Sequence, residues 1–202
     1  MADVPGKSAG DAERGSPADL VRDYIRAKDE NRPHLIPRVF CESACLEMRV
    51  RNQDISFPPV SQGAATIADV LVRRFNQTYE NIYTFCMEKP AAGSAKPPAV
   101  FACDWLVGMS EKATGNVRVG CGRYEWIFLP SCPPRVERLA ITIEVMQTLP
   151  PWRLPEVLNW LLALDYPWTS VGAASRSAPA INLLDPVLKY LVREGGVPQN
   201  AR

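Results

Sequence analysis

One histidine, His34, is all the imidazole this 202-residue chain contains. The chain also lacks a charge bias. Lys and Arg number 23 against 22 Asp and Glu, a net charge of +1, which leaves no global field for nucleic acid or an anionic membrane. No apolar run approaches the roughly 20 residues that span a bilayer. The opening segment MADVPGKSAGDAERGSP has no apolar core of the kind an export signal needs, so a cytoplasmic setting is expected. No G-x-S-x-G, phosphate-binding loop, dinucleotide fingerprint or H-E-x-x-H is present. Six cysteines (Cys41, Cys45, Cys86, Cys103, Cys121, Cys132) sit mostly singly in apolar segments. A C-x3-C spacing with one histidine makes a poor zinc site, so buried free thiols are expected, with no metal and no cofactor. His34 falls at a helix end, where a surface role fits it better than general-base work.

What is present is pattern. Residues 1–16 are Gly-, Ser-, Ala- and charge-rich and read as a flexible tail. Ser16-Pro17 then opens a helix, with Ser16 as N-cap, Pro17 at the first helical position and Asp19 in the first turn. Leu20, Val21, Tyr24, Ile25 and Ala27 form its apolar stripe. A short helix follows from His34 to Phe40, then a strand from Ala44 to Val50, and an irregular loop holds Arg51 and Asp54. A third helix runs from about Ala65 to Tyr79, carrying Leu71 and Phe75, and strands follow at Asn81–Met87 and Val100–Met109. The longest signal is Val117–Met146, two strands joined by a Pro-rich turn. One face of its first strand carries Gly120, Gly122, Tyr124, Trp126 and Phe128, and the other carries Val119, Cys121, Arg123, Glu125 and Ile127. In the second strand Leu139, Ile141 and Ile143 oppose Arg138, Thr142 and Glu144. Helices at Leu154–Leu164 and Asn182–Glu194 are apolar on one side and must pack on the body or on a second subunit. Gly195-Gly196 stops the last of them.

The order helix, helix, strand, helix and four strands resembles the nuclear transport factor 2-like superfamily, which includes ketosteroid isomerase, scytalone dehydratase and the SnoaL-type polyketide cyclases. The segment LVRDYIRAKDENRPHLIPRVFCESACLEM (Leu20 to Met48) is similar to the first helix and strand of ketosteroid isomerases without a gap. The segment GAATI (Gly63 to Ile67) resembles the start of that family's third helix. The resemblance covers residues 17–147 and implies an α+β fold, a cone of strongly curved, mostly antiparallel sheet around N-terminal helices. Residues 148–202 would be a C-terminal helical extension. It also implies a homodimer through the outer sheet face, or through the C-terminal helices.

The resemblance puts Tyr24 at the isomerase tyrosine, Met48 at the base and Tyr124 at the second oxyanion donor. Glu47, one residue before the base position, faces away from the cavity, because a one-residue offset in a strand reverses the face. Steroid isomerisation is therefore not expected. Tyr24 and Asp104 remain as catalytic candidates. Tyr24 is otherwise a core tyrosine with a satisfied hydroxyl. Asp104 faces outward as a structural residue if Phe101, Cys103 and Trp105 face inward, and becomes the inward carboxylate if the register is reversed. Arg51 and Asp54, in the loop at the cavity mouth, read either as a substrate clamp or as solvated charges. The expected lining is Tyr24, Phe40, Met48, Leu71, Phe75, Trp105, Tyr124, Trp126, Phe128, Leu139 and Ile141. A hydrophobic or aromatic small molecule is the expected ligand, with neither nucleic acid nor membrane as partner. An acid–base enzyme of cyclase, isomerase or dehydratase type is one alternative. A structural module with a filled cavity is another.

Overall fold

The computed structural model describes residues 15–51, 56–91, 99–130 and 133–193. Asp54, Cys132, residues 1–14 of the N-terminal tail and Gly195-Gly196 lie outside the described residues. Helix α1 is Pro17–Asp29. Its start follows the local chemistry: Ser16 Oγ accepts from the Asp19 amide at 3.2 Å, and the Asp19 carboxylate accepts from the Ser16 amide and hydroxyl. This reciprocal pairing satisfies amides that the first turn would otherwise leave open. A 3₁₀ turn at Pro33–Leu35 leads into α2, Ile36–Val39.

Six strands form one mixed sheet that does not close into a barrel: β1 Phe40–Val50, β2 Val60–Gln62, β3 Tyr79–Cys86, β4 Val100–Glu111, β5 Val117–Leu129 and β6 Arg135–Leu149. The order is β2-β1-β6-β5-β4-β3, with β1–β6 the parallel pair and the other neighbours antiparallel. Between β2 and β3 the chain forms α3 (Ala64–Ala68), a π-helical stretch (Asp69–Arg74) and α4 (Phe75–Thr78). This is an α+β architecture, the class that the order of elements implied.

Helices α1 to α4 fill the inner face of the sheet. There Val21, Tyr24, Ile25, Ile36, Leu46, Ile67, Trp126 and Leu139 form one buried core. Bulges set which residues reach it. Cys121 pairs with Val145 and Gly122 with Ile143, so Glu144 is an extra residue that lets both Ile143 and Met146 join the inner core. An inserted residue of this kind bends and twists its strand.

The outer face divides in two. Along Glu47, Arg49, Glu125 and Arg138 it is polar. Arg138 grips Glu47 through two bonds of 2.6 Å, and Arg49 bridges Glu47 to Glu125. The other half is apolar, with Phe85, Leu106, Val117, Val119 and Cys121 making a second core. The C-terminal segment covers it with α5 (Leu154–Leu162), α6 (Val171–Arg176) and α7 (Asp185–Leu191). Val157, Trp160, Leu161, Leu184 and Val187 supply its inner side. On β5 the polar outer face begins at Arg123, because the C-terminal helices pack on Val117, Val119 and Cys121 of their own sheet. Strand β2 falls in the loop expected to be irregular; at three residues it is too short for a periodic signal, as α6 is at six. Cys86, Cys103 and Cys121 are buried free thiols, and Cys41 and Cys45 are half-buried ones.

Candidate functional site

Between α1, the π-helical stretch and the inner face of β4–β6 lies an apolar slot. Its volume is about 50 Å³, and the space counted together with its open mouth is about 500 Å³. The slot proper holds about four water molecules at most. Trp105, Tyr124, Ile141 and Met48 border it from the sheet, and Tyr24 and Leu71 border it from the helices. Phe57, Phe75 and Tyr79 are the half-buried members and mark the mouth. Met109 and Met146 join Met48 in the wall, which gives the slot three unbranched, adaptable side chains.

The sequence placed seven of these residues in the lining: Tyr24, Met48, Leu71, Phe75, Trp105, Tyr124 and Ile141. The other four expected lining residues, Phe40, Trp126, Phe128 and Leu139, do not border the slot. They are packed core, with Trp126 stacked on Phe128 at 6.4 Å between ring centres and within 6.5 Å of Phe40. The aromatic face of β5 is longer than the slot, so its far end is packed core. This corrects the expectation of a ligand-sized cavity along the whole hairpin.

The register of β4 decides between the two readings of Asp104, in favour of the outward, structural one. Cys103 and Trp105 are in the inner core, so Asp104 points outward, where Arg193 reaches it at 2.8 and 3.0 Å and Arg123 at 3.3 Å. It ties the end of α7 to the sheet and cannot serve Tyr24 from the opposite face. Glu47 also faces out, paired with Arg138, and that bond holds its carboxyl below the usual carboxylate range. Arg51 pairs with Glu144 at 3.4 Å and is largely exposed. His34 lies in the 3₁₀ turn, away from the slot lining.

The Tyr24 hydroxyl is fully buried and makes no hydrogen bond of normal length, with the Tyr124 phenol as its polar neighbour, and the indole N–H of Trp105 is buried without a hydrogen bond. Tyr24 and Tyr124 rings meet edge to face at 6.0 Å, and Trp105 stacks on Tyr124 at 5.6 Å. Burial pushes both phenols above their ordinary range, so each stays a neutral donor. A buried donor without an acceptor costs about 1–3 kcal/mol. Two such donors on one slot are where an acceptor atom of a ligand would be held.

Lys28 is among the slot residues that sequence reasoning missed. It lies in α1 four residues after Tyr24, is 5% exposed, and borders the slot. Its ammonium donates to Asp29 Oδ1 and to Thr84 Oγ1, both at 2.6 Å, and lies 4.9 Å from the centre of the Phe75 ring. Asn76, in α4 just after the π-helical stretch, donates to the carbonyls of Lys28 and Val72 at 2.7 and 2.9 Å and fastens this part of the wall to α1. Among the described residues no carboxylate or histidine borders the slot. None forms a group of three metal-ligating side chains, and no helix is long and apolar enough to cross a membrane.

No protein-family model matches the chain, and no curated protein matches it either. Solved structures do. The fold and slot define a nuclear transport factor 2-like architecture. A superfamily protein of that name from Salmonella enterica is similar at TM-score 0.51 and 16% identity, over 63% of this chain and 88% of that one. LinA is similar at TM-score 0.55 and 11% identity, over 68% and 90%. The hexachlorocyclohexane dehydrochlorinase LinA-type3 from Novosphingobium barchaimii is similar at 0.52 and 11%, over the same shares. Identities this low speak to the fold.

Proposed function

We propose that the slot binds a small, neutral, mainly apolar molecule and holds one acceptor oxygen of it against Tyr24. The observation that carries this reading is the unpartnered Tyr24 hydroxyl on a wall that is otherwise almost wholly apolar. A core with no ligand to serve would gain stability from phenylalanine at this position. The neutral form of the ligand follows from charge balance. The Lys28 ammonium is matched by Asp29 alongside it, so an anion entering the slot would find no net positive charge, and a cation no net negative one.

The slot at rest is small. Entry of a ring-sized molecule therefore needs Met48, Met109 and Met146 to change rotamer and the Phe57–Phe75 mouth to part. Proton-transfer chemistry of the cyclase or dehydratase kind draws less support, because the ionisable groups bordering the slot are Lys28 and tyrosines. Binding is the reading we favour.

Cyclohexanone and its isostere methylenecyclohexane, which lacks the acceptor, test it. Ligand-observed NMR should find cyclohexanone bound about fivefold more tightly, the worth of roughly 1 kcal/mol for one hydrogen bond. Tyr24→Phe should erase that preference while retaining the fold. No binding by either compound, or equal binding by both, overturns the proposal.

A further inference from the structure

Tyr24 and Lys28 stand one turn apart on the same face of α1, and both border the slot. On a helix such neighbours have Cβ atoms about 6 Å apart. We infer that Lys28 is a second, separate anchor, and that the ligand class is a neutral cyclic molecule with two acceptor oxygens on opposite sides of its ring. One oxygen meets Tyr24 and the other the Lys28 ammonium. This inference rests on the binding reading above and adds the second contact.

The geometry of the ammonium supports it. An ammonium has three N–H donors. Asp29 Oδ1 takes one and Thr84 Oγ1 another, which leaves one donor on a side chain that borders the slot. The head group is also fixed. Asp29 accepts from the Thr84 amide at 2.7 Å, the Thr84 hydroxyl at 2.9 Å and the Tyr166 hydroxyl at 3.0 Å, as well as from Lys28. With four donors on it, the 2%-exposed Asp29 carboxylate has little freedom to turn, and the ammonium bonded to it is held in place. The ring of Phe75 lies beneath the charge, so the remaining donor acts in a largely apolar setting, where a hydrogen bond counts for more.

Tyr166 comes from the C-terminal segment, between α5 and α6. That segment is fastened to the edge of the sheet, where Cys86 N donates to Pro167 O at 2.8 Å and Thr169 N to Cys86 O at 3.0 Å. Tyr166 therefore acts on the ligand through Asp29 and Lys28, as a positioning residue. The helices that cover the outer face and the anchor on the inner face belong to one connected arrangement.

Cyclohexane-1,4-dione against cyclohexanone is the test. Its oxygens sit across the ring at roughly the rise of one helical turn, about 5.4 Å. A second carbonyl makes the molecule more polar, so a wall whose free donors, Tyr24 and the Trp105 N–H, together hold one carbonyl rejects the other. The two possibilities thus differ in sign. NMR titration of the full chain should give a dione-to-cyclohexanone affinity ratio of about five. In Lys28→Met the ratio should fall below one, and in Tyr166→Phe it should fall toward one. Tyr166→Phe preserves the ion pair and so guards against a Lys28 variant that fails to fold. A ligand-free readout accompanies it: the Lys28 ammonium should give a slowly exchanging Nζ–H NMR signal in the native chain that broadens in Tyr166→Phe. If cyclohexanone binds and the dione binds no better, the second anchor is refuted and the binding reading survives. If neither binds, both fall.

Discussion

Arg193 reaches from the end of α7 to Asp104 on the outer face of β4, with its Nη2 atom 2.8 Å from one carboxylate oxygen and 3.0 Å from the other. The guanidinium also stacks on Tyr190 at 3.5 Å from the ring centre. The contact closes the far end of the C-terminal segment on the sheet, as Tyr166 and its neighbours close the near end.

Asp104→Asn should therefore lower stability by about 2 kcal/mol, the loss of charge-assisted hydrogen bonds. Urea denaturation measures it. Cyclohexanone binding should not change, since Asp104 is on the other side of the sheet. Lost binding with the fold intact would return Asp104 to the site.

Tyr24→Phe should stabilise the free protein. Removing the hydroxyl removes a buried, unpartnered polar group, and the ring contacts with Phe40, Tyr124 and Trp126 remain. A gain of about 1 kcal/mol is expected in the unfolding free energy, together with loss of the ketone preference. A drop in stability would mean the hydroxyl has a structural partner.

Gly122→Ala should destabilise by about 3 kcal/mol. A Cβ there would fall inside contact distance of the Thr142 carbonyl and against Trp105. The obstacle is backbone at the Glu144 bulge, which cannot swing aside as a side chain can. Thermal unfolding checks it, and a neutral outcome would mean that the bulge relaxes.

Stability should decline on the alkaline side. Burial raises Tyr24 and Tyr124 above the ordinary tyrosine value. Groups raised on folding contribute stability that is complete below the unfolded value near pH 10 and is lost as pH climbs toward their folded values. Unfolding free energies measured at pH 8, 9.5 and 11 should fall in that order. Tyr24→Phe should make the decline shallower; an unchanged slope would place the alkaline sensitivity elsewhere.

Asp29→Asn should cost about 3–5 kcal/mol, because it leaves the buried Lys28 ammonium without its counter-charge. Denaturant unfolding reads this directly. A loss under 1 kcal/mol would mean that Lys28 swings out to solvent, which would also remove it as an anchor.

The amino-acid order by itself determined the elements whose causes are local. Ser16, Pro17 and Asp19 start α1 because a capping pair needs only neighbours in sequence. Strands β4, β5 and β6 follow from period-two alternation, and the Glu47/Met48 offset gave the outward carboxylate because a pleat has only two faces. What lies across the sheet was not legible in that way. A lysine at the end of an apolar helix stripe looks like a solvated side chain. Lys28 is buried because Thr84, 56 residues away, and Asp29, held by Tyr166 from the C-terminal segment, satisfy its charge. Val117, Val119 and Cys121 did carry a signal, since apolar residues on the outer face opposite Gly120 and Gly122 call for a cover. Which helices provide that cover, and how much of the aromatic face of β5 packs solid, were decided by tertiary packing. Packing sums contacts from distant parts of the chain, and no window of sequence contains them.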